Sequence, residues 1–334
     1  MSSSKVRLAR FDIAKAICII LVALGHFNPE YSPMWYKNFV EGFCSFHMPV
    51  FMFASGYLYM SFKKQIPYKQ FILKKCHRLM LPYFVVSVFI IFIKLVSEGG
   101  NLYVQHPVTY EAFIKILYYP EAAYFLWFAW ALFDIFVFIP LFDTKSKRVL
   151  LFVISLVLHY IKSFLPELFC LKEMQTQLIW FVFGLLCVDF REHMNKINRI
   201  KAFNVVLYVA FFVSYLCIFF YGAEKMSFAK GVLSWVGIYV VINISQKLET
   251  IQTNKSVRLL TSLGVSSYIV YLFHTTFEGL VKSLFVKFGA NVELNNGLFV
   301  IQAIIVTFIG ICIPFLLYEY VLKKNKVAKI LFGI

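Results

Sequence analysis

The first long apolar stretch of this chain carries ionisable residues that a membrane helix normally excludes. Each charged side chain near the middle of such a helix costs about 2.5–3.5 kcal/mol on insertion, so each is a candidate for function. Lys15 and His26 are eleven residues apart, about three helical turns, and therefore project from one face about 16 Å apart. That face holds a cation at one end and an imidazole, a group that transfers protons near neutral pH, at the other. The alternatives are that Lys15 extends its amine to the headgroups and that His26 caps the helix.

A second apolar stretch combines a histidine, a proline and small residues. His47 and Pro49 lie in a predicted helix at 39–61, and Ser55 and Gly56 follow about two turns later. A proline within a membrane helix removes a backbone hydrogen bond and bends the helix. The pattern therefore predicts a kinked helix that lines a polar cavity. The alternative is that His47 is simply a packed, hydrogen-bonded side chain.

A third histidine, His274, closely follows Tyr271 in a predicted helix at 259–285. Counted from the ends of their helices, His26, His47 and His274 all fall in the half nearer the outer surface. Three imidazoles at similar depth on three helices predict one buried polar site. Membrane tryptophans could form its walls, although packing in the core or at the interface is the simpler interpretation of each one: Trp127, Trp130 and Trp180.

The most basic loop of the chain lies between the second and third apolar stretches. Lys75 and Arg78 are three residues apart at its end, so one helix face could direct both cations at a phosphate group. Contact with anionic lipid headgroups is the alternative.

These candidates lie in a chain with the composition of an integral membrane protein. Its 334 residues are 60% hydrophobic and only 15% charged, and the mean hydropathy is +0.75, whereas a soluble domain is about half apolar and a quarter charged. A membrane helix needs about 20 mainly apolar residues, so the sequence predicts an all-α membrane protein with about ten transmembrane helices. The predicted spans are 11–28, 39–61, 80–96, 123–142, 149–166, 175–190, 202–221, 228–246, 259–285 and 298–322.

The charge distribution predicts the orientation. The net charge is +16, but the basic residues form short clusters between apolar runs, which excludes a nucleic-acid-binding surface. With the N-terminus inside, the predicted inner segments hold 23 of the 33 Lys and Arg residues and the outer segments nine, as the positive-inside rule requires. We therefore predict cytoplasmic termini and one transmembrane domain over 1–334. The seven cysteines include no CxxC pair, so neither a disulfide framework nor a metal site is expected.

Four ordered motifs in this chain resemble acyltransferase family 3. The stretch from Arg10 through Lys15 to Gly25-His26 is similar to the opening helix of that family, in which Arg or Lys and then His are separated by ten residues. The other resemblances are Phe46-His47-Met48-Pro49 with Phe53-Ala54-Ser55-Gly56-Tyr57, Lys75-Cys76-His77-Arg78 with Leu81-Pro82-Tyr83, and Tyr268 through Tyr271-Leu272-Phe273-His274.

The resemblance implies a membrane O-acyltransferase of a bacterial cytoplasmic membrane. Such an enzyme transfers an acyl group, usually acetyl, from cytoplasmic acyl-CoA to a hydroxyl of a glycan or lipid-linked sugar. By matched position, His26 is the catalytic histidine, and Lys15, Lys75 and Arg78 bind the CoA donor or stabilise the site. Lys15 stands where Arg is commoner, so the charge is kept and bidentate phosphate binding is lost.

The helical spacing suggests how such a reaction could run. The CoA nucleotide would lie among the cytoplasmic cations, and the pantetheine arm would extend toward His26, the general base. Asp12 belongs with the catalytic candidates, although it is too distant to orient His26 and should pair with Lys15 or another cation. The residues expected to contact the substrate are His47, Ser55, Trp127, Tyr271 and His274, and the sequence does not choose among His47, His274 and Ser55 for polarising the thioester. The rival function is a transporter or flippase of a lipid-linked sugar.

Overall fold

The computed structural model describes residues 8–100, 104, 106–161, 163–289 and 296–334, and these residues form helices without a β-strand. The α-helices are α1 Ala9–His26, α2 Met34–Cys44, α3 His47–Ser61, α4 Tyr68–Lys75, α5 Leu81–Gly99, α6 Ala112–Lys115, α7 Trp127–Phe138, α8 Lys145–Tyr160, α9 Leu171–Asp189, α10 Arg191–Asn198, α11 Lys201–Tyr221, α12 Ser227–Glu249, α13 Lys255–Lys287, α14 Asn296–Leu317 and α15 Lys326–Leu331. Short π-helices at Cys76–Met80 and Tyr318–Leu322 follow α4 and α14. The prediction of an all-α protein is confirmed for the described residues.

Seven of the described helical segments are long and apolar enough to cross a membrane. They are Tyr68–Gly99, Glu121–Leu141, Leu168–Asp189, Lys201–Tyr221, Ser227–Glu249, Lys255–Lys287 and Asn296–Leu322. Seven of the predicted spans correspond to these segments, and the integral membrane class is supported. The count of ten and the orientation of the termini are not confirmed, and the N-terminal basic cluster lies partly outside the described residues.

The three other predicted spans are shorter or more charged than expected. Helix α1 has 18 residues, but Arg10, Asp12 and Lys15 all lie within it. The predicted span at 149–166 corresponds to α8, which has 16 residues and ends at Tyr160. The predicted span at 39–61 is broken into α2 and α3. Each falls short of a regular crossing by length or by charge.

The break between α2 and α3 corrects the predicted proline kink. Phe46 has a non-helical backbone (φ −125°, ψ −21°) and precedes the first residue of α3, His47. Pro49 is then the third residue of the new helix. Since the first turn of a helix has no intrahelical partners for its N–H groups, proline sacrifices no hydrogen bond there. The chain therefore bends before Pro49, at Ser45 and Phe46.

Helix α1 lies at the centre of the bundle and contacts α2, α3, α12, α13 and α14. Its buried residues therefore cover several faces instead of a single apolar stripe: Phe11, Ile13, Ala14, Ala16, Cys18, Ile19 and Ala23 are at most 1% exposed. At Gly264 of α13 an added Cβ would lie 1.7 Å from the Asp12 carbonyl oxygen of α1. A small residue thus lets the backbones of α1 and α13 touch.

Helix α11 is the least buried of the seven described segments that could cross a membrane. Only 11% of its most apolar 18-residue stretch is buried within the protein. Large side chains such as Val205, Val206 and Phe212 are more than half exposed. An apolar helix that exposes such residues is suited to lipid contact.

Arg148, which belongs to one of the predicted inner basic clusters, forms an ion pair with another helix. Arg148 at the start of α8 is 5% exposed. It donates two hydrogen bonds to the Asp189 carboxylate at the end of α9, Nε–Oδ2 at 2.6 Å and Nη2–Oδ1 at 2.8 Å, and one to the Asp143 carbonyl oxygen at 2.7 Å. The bidentate geometry and the burial make this the best-formed described ion pair between two helices.

We expect Arg148→Lys to lower the thermal stability of the purified protein. Lysine keeps the charge, but its single ammonium group cannot replace the planar guanidinium group that donates to both carboxylate oxygens. The loss should be about 1–3 kcal/mol, the cost of leaving buried charged partners unsatisfied. The control is Lys147→Ala, which removes an exposed pair with Asp143 (2.8 Å) and should change little. Equal melting temperatures for wild type and Arg148→Lys would contradict the structural role.

Candidate functional site

Two of the three candidate histidines meet at one end of the bundle. The ring centroids of His26, at the end of α1, and His274, in α13, are 4.9 Å apart. His274 is fully buried, whereas His26 is exposed at the helix end. The pair forms because α1 and α13 pack along their length, in contact at Gly264.

The hydrogen bonds of His274 define which of its nitrogens is available. Its Nδ1 lies 2.9 Å from the Tyr271 carbonyl oxygen and 3.1 Å from that of Val270. Carbonyl oxygens only accept hydrogen bonds, so Nδ1 carries the proton and donates. In the neutral ring Nε2 is then an acceptor, and it has no hydrogen-bond partner among the described residues. His274 can therefore receive a hydrogen bond from a hydroxyl or from a neighbouring ring.

His47 is held in a similar way, on the first turn of α3. It is 8% exposed, and its Nδ1 donates to the Phe43 carbonyl oxygen at 2.9 Å. The Phe43 ring lies 6.3 Å from the His47 ring, measured between centroids, and 3.2 Å from a Cβ added at Gly25, the residue before His26. The structure thus places the three histidines in one region, with His274 in direct ring contact with His26 and His47 farther away.

Two aromatic residues lie directly below the histidine pair. The Phe125 ring is 5.9 Å from His26 and 5.3 Å from His274, measured between centroids. The Tyr271 hydroxyl donates to the Phe125 carbonyl oxygen at 2.9 Å and so fixes the two residues to each other. Phe125 lies in the short 3₁₀ helix Glu121–Leu126, which the sequence did not single out.

A cavity of about 1600 Å³ lies on the side of these aromatics that faces the basic loop. Its described lining includes Asp12, Lys15, Ser55, Lys63, Lys64, Lys74, Lys75, Arg78, Leu58, Phe71, Leu132, Phe136, Tyr268 and Tyr271. Cations gather at one end, and apolar and aromatic side chains line the rest. A cavity larger than the roughly 300–1,000 Å³ of ordinary ligand pockets accommodates a long ligand.

The predicted cations line this cavity in different ways. Lys15 Nζ is 3.7 Å from Asp12 Oδ1, so the predicted pairing of these residues is present in the structure. Lys75 Nζ lies 3.4 Å from the centroid of the Phe136 ring, a cation–π contact. Arg78 is exposed at the mouth. A π-helix begins directly after Lys75, and such irregular turns are frequent at functional sites.

The cavity ends one helical turn below the histidine pair. Its deepest residues on α1 and α13 are Val22, four residues before His26, and Tyr271, three residues before His274. One helical turn is about 5.4 Å. The layer formed by Phe125 and Tyr271 therefore separates the cavity from the imidazoles. His26 is exposed on the other side of this layer.

The remaining sequence candidates divide between the cavity and the core. Ser55 lines the cavity and donates to the Phe51 carbonyl oxygen at 2.8 Å. The described residues that line the cavity do not include Trp127. Trp130 packs on Tyr83 with centroids 5.5 Å apart, and Trp180 packs on Trp235 at 4.6 Å. These tryptophans therefore match the alternative interpretation, packing in the core.

Sequence reasoning missed two ionisable residues near the histidine pair. Glu278 is fully buried in α13, and Lys282 Nζ donates to the main-chain oxygen of His26 at 3.2 Å. Both follow His274 at intervals of four residues, so the three lie on one helix face. This spacing from a candidate histidine is the signal that could have identified them.

The chain matches the model of a known protein family. The model described as an acyltransferase domain, that of acyltransferase family 3, matches residues 8–319, nearly the whole chain. No curated protein and no solved structure matches this chain.

Proposed function

Because the chain belongs to acyltransferase family 3, we propose that it transfers an acyl group from acyl-CoA to a hydroxyl of a glycan or lipid-linked sugar. The acyl group that we predict is acetyl. The proposal depends mainly on one observation. A long cavity with cations at its mouth ends one turn below a pair of contacting imidazoles. This is the arrangement that an extended, phosphorylated thioester donor and a general base require.

The lining of the cavity matches the chemistry of acyl-CoA from one end to the other. Lys63, Lys64, Lys75 and Arg78 can neutralise the phosphate groups of the nucleotide. Leu58 and Leu132 form apolar walls for the pantetheine arm. The roughly 16 Å from Lys15 to His26 suits an extended chain. The thioester would then lie near Tyr271, below His26.

In the proposed reaction His26 removes the proton from the acceptor hydroxyl as its oxygen attacks the thioester carbonyl carbon. The new C–O bond forms, the C–S bond breaks, and the CoA thiolate leaves with the proton that His26 took up. His274 donates through Nδ1 to backbone carbonyls, so its Nε2 is suited to accept a hydrogen bond from His26 or from the acceptor. This geometry favours a positioning role for His274 over polarisation of the thioester.

The aromatic layer gives the reaction a gate. Phe125 and Tyr271 separate the cavity from the imidazoles, so one of their side chains must rotate before the thioester reaches His26. With the layer in place, water from the His26 side is kept from the donor. Such exclusion limits hydrolysis of the thioester in the absence of an acceptor.

The donor site is tested by replacing Lys75 and Arg78 together with alanine. Charged hydrogen bonds of the kind proposed contribute about 1.5–3 kcal/mol each, so the KM for acetyl-CoA should rise at least about tenfold. The kcat should change far less, because neither cation reaches the reacting atoms. The measurement is loss of radiolabelled acetyl-CoA thioester by the purified protein in detergent.

Lys172→Ala is the control, since this lysine forms an exposed pair with Glu167 at 3.4 Å on another part of the bundle. Its KM for acetyl-CoA should equal that of wild type. Folded wild-type protein that neither binds nor consumes acetyl-CoA would contradict the acyltransferase proposal. That result would instead favour the transporter or flippase.

A further inference from the structure

A second cavity, of about 810 Å³, lies beside the cavity proposed above for acyl-CoA, the donor cavity. Phe11 of α1 is in the described lining of both. Its neighbour Arg10 lines the second cavity, whereas Asp12 and Lys15 line the donor cavity. The other described walls of the second cavity come from α3, α9, α10, α11 and α12. The proposed reaction does not use this cavity.

The second cavity is basic at one end. Four cations line it where helices begin or end: Arg10 at the start of α1, Arg191 and Arg199 at the two ends of α10, and Lys247 in the last turn of α12. The described lining includes no carboxylate. Glu249, two residues after Lys247, accepts a hydrogen bond from the Arg10 main-chain N–H at 3.1 Å. The charge at this end of the cavity therefore suits an anionic group.

The other end of the second cavity is apolar and aromatic. From Lys247 to Trp235, which both line the cavity, α12 rises about 18 Å. The Trp235 ring is held there by Trp180 and Phe183, with centroids 4.6 Å and 5.3 Å away. The lining between the two ends is mainly apolar and includes Phe53, Leu207, Val236, Ile238 and Ile242. One leaflet of a bilayer has about 15 Å of hydrocarbon, so the cavity has the length of a single leaflet.

The edge of the second cavity faces the bilayer. It borders α11, the least buried of the segments that could cross a membrane. Phe203 of α11 and Ile197 of α10 both line the cavity and are 39% and 38% exposed. Large apolar side chains exposed beside a lipid-facing helix favour contact with hydrocarbon over contact with water. A ligand with an apolar chain can therefore enter from the membrane.

We propose that the second cavity binds one anionic phospholipid. Its phosphate group lies among the four cations, and one acyl chain extends along α12 toward Trp235. Basic pockets between membrane helices bind anionic lipid headgroups, and the guanidinium group of arginine can donate two parallel hydrogen bonds to a phosphate. The volume lies within the roughly 300–1,000 Å³ of ordinary ligand pockets, which is enough for a headgroup and part of a chain.

The position of Arg10 connects this lipid to the rest of the bundle. A phosphate that binds Arg10 together with Arg191 and Lys247 joins the first turn of α1 to α10 and α12. Because a ligand that binds only the folded state stabilises that state, the lipid should raise the melting temperature of the protein. Helix α1 also carries Lys15 of the donor cavity, so the lipid supports the wall between the two cavities.

The test compares phosphatidylglycerol, which has a net negative charge, with phosphatidylcholine, which has none. Binding to the protein purified in neutral detergent is measured by native mass spectrometry. Wild type should bind phosphatidylglycerol with a Kd at least about tenfold lower than that for phosphatidylcholine, since each charged hydrogen bond contributes about 1.5–3 kcal/mol. The melting temperature should rise with phosphatidylglycerol and change far less with phosphatidylcholine. Equal Kd values for the two lipids would overturn the proposal.

Replacement of Arg191 and Arg199 together with alanine tests the site itself. Both side chains are exposed, so the variant should fold, as its melting temperature without lipid checks. Its Kd for phosphatidylglycerol should rise at least about tenfold, and its Kd for phosphatidylcholine should stay unchanged. The matched control replaces Lys196 and Lys201 with alanine. These lysines are exposed on α10 and α11, are absent from the described lining of the cavity, and remove the same charge.

The control variant should bind phosphatidylglycerol as wild type does. An equal loss of affinity in the two double variants would assign the binding to general surface charge and overturn the site. Glycerol 3-phosphate, a phosphate without acyl chains, should bind far more weakly than the lipid. If it binds as tightly, the ligand is a small soluble anion and the lipid proposal is wrong.

Phosphatidylglycerol with brominated acyl chains locates the chain, because bromine quenches the fluorescence of a nearby tryptophan. The intensity lost on binding should be smaller in Trp235→Phe than in wild type. Trp127→Phe, at a residue outside the described lining of both cavities, should leave that loss unchanged. The same loss in wild type and Trp235→Phe would overturn the placement of the chain, and this readout does not depend on the arginine variant.

Discussion

Replacement of His26 with alanine is expected to lower the kcat for acyl transfer by about 10²–10⁴-fold, the usual contribution of a general base. His26 is exposed at the end of α1, so its loss should leave the core intact. The KM for acetyl-CoA should remain near the wild-type value, because the described lining of the donor cavity ends one turn below this residue. The measurement is the rate of labelled acetyl transfer by purified protein, alongside thermal unfolding of the same sample.

His193→Ala is the matched control for that experiment. His193 is exposed on α10, far in sequence from each residue of the proposed site. Its loss should change neither transfer nor stability. Transfer at the wild-type rate by folded His26→Ala would remove His26 from the mechanism and leave His47 or His274 as the base.

Replacement of Gly264 with valine is expected to prevent accumulation of active, folded protein. An added Cβ at this position would lie 1.7 Å from the Asp12 carbonyl oxygen and 2.4 Å from its carbon. These are backbone atoms of a buried helix and cannot rotate away, so α1 and α13 would have to separate. Overpacking of flexible cores costs about 1–3 kcal/mol, and a clash of two rigid helices should exceed this range.

The same separation would pull His26 away from His274, since these two helices carry the pair. We therefore expect any Gly264→Val protein that survives purification to bind acetyl-CoA poorly and to transfer no acetyl group. Gly279→Ala provides a control on the same helix, because no described atom lies within 4 Å of a Cβ added there. The readouts are monodisperse yield in detergent, melting temperature and transfer rate. A Gly264→Val protein with wild-type stability would contradict the backbone contact of α1 and α13 at Gly264.

The two sides of the aromatic layer distinguish an acyltransferase from a transporter. A transporter must expose one binding site to each side of the membrane in turn, which requires large parts of the bundle to move. Here a cavity on one side and an exposed histidine on the other are separated by a single layer at Phe125 and Tyr271. An acyl group therefore has to pass only this layer to reach His26, without the large movement that a transporter requires.

Several features of this protein follow from the sequence by itself. Composition identifies the membrane class, and the order of four motifs indicates acyltransferase family 3, which the family match over residues 8–319 confirms. The placement of Lys15 and His26 on one helix face and the pairing of Asp12 with Lys15 involve residues of a single helix, so the sequence is enough to predict them. They follow from the regular 3.6-residue period of a helix, which needs no information about neighbours.

Other features depended on the tertiary structure. The contact between His26 and His274 joins residues 248 positions apart, and it follows from how closely α1 and α13 approach at Gly264. The break before Pro49 also depended on the tertiary structure. A proline in the sequence can either bend a helix or lie in the first turn of one. In the sequence Glu278 is one acidic residue in an apolar stretch, and only the packing of α13 against Gly310 of α14 buries it. Periodicity fixes the face of a helix that a residue occupies, but only packing between helices decides what that face meets.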